Sequence, residues 1–113
     1  MAETITYERL EELLDDESIP TVHRALWLLL WEGELRVLDL LSMDVGEADP
    51  EGDFSERAAG MLREMIGDRE TGPLFAEGER ALSWERAVQV ADEHGHRIHM
   101  FRTGGKRHRQ GLG

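Results

Sequence analysis

The segment from Thr21 to Glu32 constrains this chain more than any other. It contains the run Ala25-Leu26-Trp27-Leu28-Leu29-Leu30-Trp31, seven apolar residues that stop at Glu32. At helical spacing six bulky side chains in succession wrap nearly all round the axis and leave no face for water. Such a helix has to be enclosed by other elements. It is also far shorter than the ~20 apolar residues needed to cross a bilayer, so the expectation is a central core helix and no membrane partner. With 113 residues in all, the chain is long enough to bury about two-thirds of its unfolded surface around that helix.

The surrounding segments carry helical rather than alternating periodicity. Tyr7, Leu10, Leu13 and Leu14 share one face of an opening helix, with Thr4 or Thr6 available as N-cap. Thr21 looks like the cap of the core helix, and Gly33 suits its end. A short helix is expected over residues 36–42, burying Leu35, Leu38 and Leu40 or Leu41, with Arg36 and Asp39 on the other side. Residues 44–53 are acidic, glycine-containing and broken by Pro50, which predicts a loop. Ser55 can cap a fourth helix in which Ala58, Met61, Leu62, Met65 and Ile66 keep helical spacing, closed by Gly67. Leu74-Phe75 reads as a short extended piece. Ser83 can cap a fifth helix over residues 84–94, with Ala87, Val88 and Ala91 inward and Gly95 as its stop. A last helical turn is expected over residues 99–102, and Gly104-Gly105 then predicts a basic, flexible tail over residues 104–113. The fold class expected is mainly α, a compact multi-helix domain over residues 1–103 with little or no sheet. Trp27, Trp31 and Trp84 are all expected in its core.

Charge divides the chain unevenly. The formal net charge is −11. Residues 94–113 hold Arg97, Arg102, Lys106, Arg107 and Arg109 with no acid, making that segment +5 and leaving −16 on residues 1–93. A uniformly acidic surface would repel a polyanion, whereas a basic end attached to an acidic body can hold one electrostatically. There is no cysteine, which excludes disulfides and thiolate metal sites and accords with a reducing, cytoplasmic setting. Four of the five histidines, His94, His96, His99 and His108, lie close in sequence. His94-Gly95-His96 straddles a helix stop and no acid follows Glu93, so neither a metal site nor a cofactor is expected.

Two arginine-centred segments some sixty residues apart point to chemistry: Gly33-Glu34-Leu35-Arg36-Val37-Leu38-Asp39-Leu40-Leu41 and Arg97-Ile98-His99-Met100-Phe101-Arg102. They resemble the two boxes that carry the arginines of tyrosine recombinases, or phage-type integrases. The likeness covers roughly residues 4–103. Tyr7-Glu8-Arg9-Leu10 looks like that family's opening helix, His23-Arg24-Ala25-Leu26-Trp27 like the helix feeding the first arginine, and Gly72-Pro73-Leu74-Phe75 with Leu82-Ser83-Trp84-Glu85 like the run into the second box. The resemblance implies a phosphate-binding constellation of Arg36, His99 and Arg102 supported by Asp39. Two guanidiniums would hold the non-bridging oxygens bidentately, and a histidine would share a proton during attack.

The family's pattern is incomplete here. Its nucleophile is a tyrosine well downstream of the His-x-x-Arg box, whereas the only tyrosine of this chain is Tyr7. Its hairpin lysine between the boxes has no counterpart, because Lys106 is the only lysine. Its helix beyond the second arginine is replaced by the glycine pair, which suggests a truncated or frame-altered tail. The resemblance therefore implies a degenerate recombinase-like protein that is not an enzyme, contacts DNA weakly through Lys106, Arg107 and Arg109, or associates with a complete recombinase or with itself. The rival expectation is an acidic helical module that binds a basic protein, with Arg36 and Asp39 as an ordinary surface pair.

Overall fold

The computed structural model describes residues 5–33, 35–48, 52 and 54–111. Thr4, Glu34, and Asp49, Pro50, Glu51 and Asp53 of the expected loop therefore lie outside the described residues, as do the last two of the tail. The elements run α1 (Tyr7–Leu14), α2 (Thr21–Glu32), α3 (Val37–Leu41), a single 3-10 turn (Val45–Glu47), α4 (Glu56–Ile66), β1 (Ala76–Glu77), β2 (Arg80–Ala81), α5 (Trp84–Glu93) and α6 (His99–Arg109). The fold is mainly α, and among the described residues its only sheet is the two-stranded antiparallel hairpin β1–β2. No helix among them is long and apolar enough to cross a membrane.

α2 is the axle. Nine of its twelve residues are buried, including His23 and the whole run 25–31. It packs against α1, α3, α4 and α6, with α6 as its largest partner. Phe101 of α6 stacks on Trp27 with ring centroids 5.0 Å apart and planes 2° from parallel. Both rings are fully buried, so one aromatic pair fixes the rotation of α6 about its own axis.

The helix starts follow local chemistry. Thr6, Ser55 and Ser83 each accept a hydrogen bond from a backbone N–H three residues on, satisfying donors that the first turn leaves free. α2 begins differently, with Pro20 at its N-cap and Thr21 as its first helical residue. Helix ends are closed by arginines. Arg24 donates to the carbonyls of Leu14 and Ile19, Arg69 to those of Met65, Pro73 and Leu74, and Arg109 to that of Trp31. A guanidinium suits this task because it carries several donors and complements the negative end of the helix dipole.

Three expectations need correction. In α3 the inward residues are Val37 and Leu40, whereas Leu35 and Leu38 are exposed. Val37 and Leu40 have the same three-residue spacing as Leu35 and Leu38, so the pattern fits either pair. Trp84 is also outside the core, with 43% of its surface exposed. It occupies the first turn of α5 at the margin of the buried face made by Ala87, Val90 and Ala91.

The third correction concerns the tail, which is helical as far as Arg109. A Cβ on Gly105 would come within 1.9 Å of the Trp31 carbonyl oxygen, and one on Gly104 within 2.7 Å of the Ile5 carbonyl oxygen and 2.8 Å of the Trp31 ring. The glycines weaken helix propensity, yet they let α6 pack backbone to backbone on the end of α2. His108 adds a stacked contact with Tyr7 at 5.0 Å. That packing outweighs the propensity cost of about 1 kcal/mol per glycine.

The loop after α3 is tied to the hairpin region. The Val45 N–H donates to the Gly72 carbonyl at 2.8 Å and the Leu74 N–H to the Met43 carbonyl at 2.9 Å. The Asp44 carboxylate accepts from both the Gly46 and the Gly72 N–H groups.

Candidate functional site

The site forms where α3 meets α5 and the start of α6. Val37 and Leu40 anchor α3 inward, which leaves Arg36, Leu38 and Asp39 facing outward. Arg36 stands at the N-cap in extended conformation, and Asp39 Oδ2 accepts from its backbone N–H at 3.0 Å. Asp39 therefore positions the backbone of Arg36 and starts the helix. On the other side Gly95, with φ +84°, turns the chain out of α5. Ile98 and Phe101 then lock into the core, so His99 and Arg102 emerge on the opposite flank of α6.

Arg36, Leu38, Asp39, Trp84, His99 and Arg102, with Val37, line one concavity of about 460 Å³. Two arginines from segments distant in the chain thus share one depression with an imidazole and an exposed indole. Chemically the concavity combines two guanidiniums and an imidazole with the Asp39 carboxylate and an apolar wall. Guanidinium forks can hold phosphate or carboxylate oxygens, and Trp84 with Leu38 offers a surface on which a planar or apolar group can rest.

The other expected residues are more scattered. Lys106 and Arg107 are exposed on the last turns of α6, whereas Arg109 turns back to the Trp31 carbonyl. Tyr7 lies in a separate concavity with Trp31, Arg57, His108 and Arg109. Its hydroxyl is held above the ordinary phenol pKa, first by a hydrogen bond with Glu11 and then by that carboxylate's charge. Among the described residues no group of three or more His, Asp or Glu is arranged to hold a metal ion. His96 accepts from Arg9 Nε at 3.1 Å, and burial holds its pKa below the usual histidine value.

Trp84 was missed as a site residue because a tryptophan beside an apolar helical face reads as core. The available signal was its position directly after the Ser83 cap, where a helix has only begun to meet its neighbours. A second unforeseen group is His23, which is fully buried on α2. Its Nε2 lies 3.2 Å from Glu77 Oε2, and Glu77 in turn accepts from Arg86 Nε at 3.1 Å. Burial depresses the His23 pKa against the opposing pull of Glu77. Burial raises that of Glu77, but hydrogen bonds from His23 and Arg86 leave it below the usual carboxylate range. This cluster joins α2, β1 and α5 and takes no part in the concavity.

No protein-family model matches the chain, and neither a curated protein nor a solved structure matches it.

Proposed function

We propose that the protein is a degenerate relative of the tyrosine-recombinase catalytic domain that binds nucleic-acid phosphate without cleaving it. One observation carries this reading: Arg36, Asp39, His99 and Arg102, selected from two separate sequence boxes, line a single concavity. The α6 helix continuing beyond Arg102 is a second support, since it removes one of the departures from the family's pattern. A tyrosine nucleophile is still missing beside the arginines, and the hairpin at residues 76–81 carries no lysine. The site holds charge and does no covalent chemistry. A cytoplasmic location and association with a complete recombinase or with a second copy belong to the same reading.

Binding of a labelled oligonucleotide, followed by fluorescence anisotropy, tests it. Arg36→Ala and Arg102→Ala should each weaken binding at least tenfold, while Arg63→Ala, on the exposed face of α4, should leave it within twofold. Equal affinities for all three variants would remove the phosphate site. A nicked suicide duplex run on a denaturing gel should show no covalent adduct; a shifted band lost in Tyr7→Phe would overturn the non-enzymatic part.

The rival reading, an acidic helical interaction module, draws support from the exposed side chains of Leu35 and Leu38, the second of which lines the same concavity. It requires a protein ligand whose binding survives Arg36→Ala and Arg102→Ala but is lost in Leu38→Asp.

A further inference from the structure

The exposed face of α6 and the ring of Trp84 form one continuous surface. His99, Arg102 and Lys106 fall at intervals of three and four residues on that helix, so they share a face and stand about 4.5 and 6 Å apart along its axis. Residues 94–113 contain no acid to break the stripe. At its N-terminal end Trp84 lines both the Arg36–Arg102 concavity and the neighbouring one that holds Arg97 and His99. Toward α5 the character changes: Trp84 borders Glu85, Asp92 and Glu93, and Asp92 also lines the concavity of Arg97 and His99.

We propose that this surface binds the single-stranded end of a nucleic acid, its backbone running along His99, Arg102 and Lys106 and a base stacked on Trp84. The inference rests on the phosphate-binding reading above and names its ligand class. A row of cations beside an exposed aromatic ring is the pairing that single strands use, because the backbone supplies charge and an unpaired base supplies a free π-face. In a duplex the bases are stacked on one another and offer Trp84 nothing. The acids of α5 narrow the choice further. A second strand laid beside the first would bring its phosphates over Glu85 and Glu93 as well, within the ~8–10 Å across which charges act at moderate salt. A single strand can follow the cations of α6 and meet only Asp39 and Asp92 at the margin of its path.

The protein carries its own probe. Of its three tryptophans, Trp27 and Trp31 are 0% and 5% exposed and Trp84 43%, so a bound base quenches chiefly Trp84. The whole chain is titrated with an oligothymidylate of about 12 nucleotides and with a duplex of equal length. Tryptophan emission and the anisotropy of an end-labelled strand are both recorded. The single strand should quench emission and bind more tightly than the duplex. Trp84→Ala should weaken it about tenfold, and Trp84→Phe should restore most of the loss. Lys106→Gln should lower the slope of log K against log salt by about 1, while Trp84→Ala should leave that slope unchanged.

Equal affinity for strand and duplex, without quenching and unaffected by Trp84→Ala but weakened by Arg102→Ala, would overturn the single-strand inference and leave the phosphate site standing. Failure to bind either ligand would overturn both. Trp84 is nearly half exposed, so its variants should keep the parent's thermal transition and circular dichroism, which separates lost stacking from lost folding.

Discussion

Two glycines show how much a single Cβ can decide. Gly105 has its α-carbon against the Trp31 backbone, where an added methyl would meet the carbonyl oxygen at 1.9 Å. Because neither backbone can move without displacing a helix, Gly105→Ala should cost at least ~2 kcal/mol in urea unfolding. Gly60 lies exposed within α4 with nothing within 4 Å of its Cβ position, and Gly60→Ala should instead gain ~0.5–1 kcal/mol. Similar effects at the two positions would contradict the described packing of α6. His23 makes the corresponding argument for protons. Its neutral ring can donate from Nε2 to Glu77, while Nδ1 is buried with no hydrogen-bond partner among the described residues. A proton on Nδ1 would therefore be a charge in apolar surroundings, and burial lowers the pKa. The folded state binds this proton more weakly than the unfolded chain, so stability is complete above the ordinary histidine value of about 6.5 and declines as pH falls toward the folded pKa. His96, also lowered by burial, adds to the decline with the same sign. Urea midpoints measured from pH 7.5 to pH 5.5 should fall in the parent and fall less steeply in His23→Gln, whose amide can still donate to Glu77; parallel curves would exclude His23 as the titrating group.

At the level of whole elements, α6 unites the core contact with the site, and this changes what truncation means. Stopping the chain after Thr103 removes the Gly104–Gly105 contact, the stacking of His108 on Tyr7 and the Arg109 bond to Trp31. Such a truncation should lower the melting temperature sharply, whereas Lys106→Gln with Arg107→Gln should leave it within a few degrees; an unchanged melting temperature after truncation would restore the flexible tail. The misreading of this segment has a definite cause. Propensity counts the backbone entropy a glycine loses, but it is blind to a partner helix that needs the missing Cβ. α3 was misjudged for another reason, since five residues contain too little of the helical period to choose between Leu35 with Leu38 and Val37 with Leu40. The two-residue strands of the hairpin are too short to alternate at all. By contrast α2 was legible from its unbroken apolar run, and α4 and α5 from serine caps followed by periodic alanine, leucine and valine. Arg36, His99 and Arg102 were singled out through motif order, and what the fold adds is that they line one concavity. The indole that completes their concavity was not, because side-chain exposure at the margin of a helical face depends on neighbours that no local pattern contains.

Across the molecule as a whole, salt should act in two opposed ways. The body carries −16 against +5 at the basic end, so its acids repel one another, and screening them from ~0.05 to ~0.5 M salt should raise the melting temperature. The same increase should weaken any bound polyanion through counterion release. A protein whose melting temperature fell over that range would be held together by surface ion pairs to a greater extent than the Arg57–Glu11 and Arg86–Glu77 pairs suggest. The partnership of α2 with α6 also orders events in time. Arg109 reaches back 78 residues to Trp31, and Phe101 stacks on a ring that left the ribosome long before it. During synthesis the most apolar helix of the chain waits without its largest partner while α3, α4 and α5 are made. The nascent protein is therefore most exposed to chaperones, proteases and aggregation in the interval before α6 emerges, and the helix that closes the core is the one that brings His99 and Arg102 to the site.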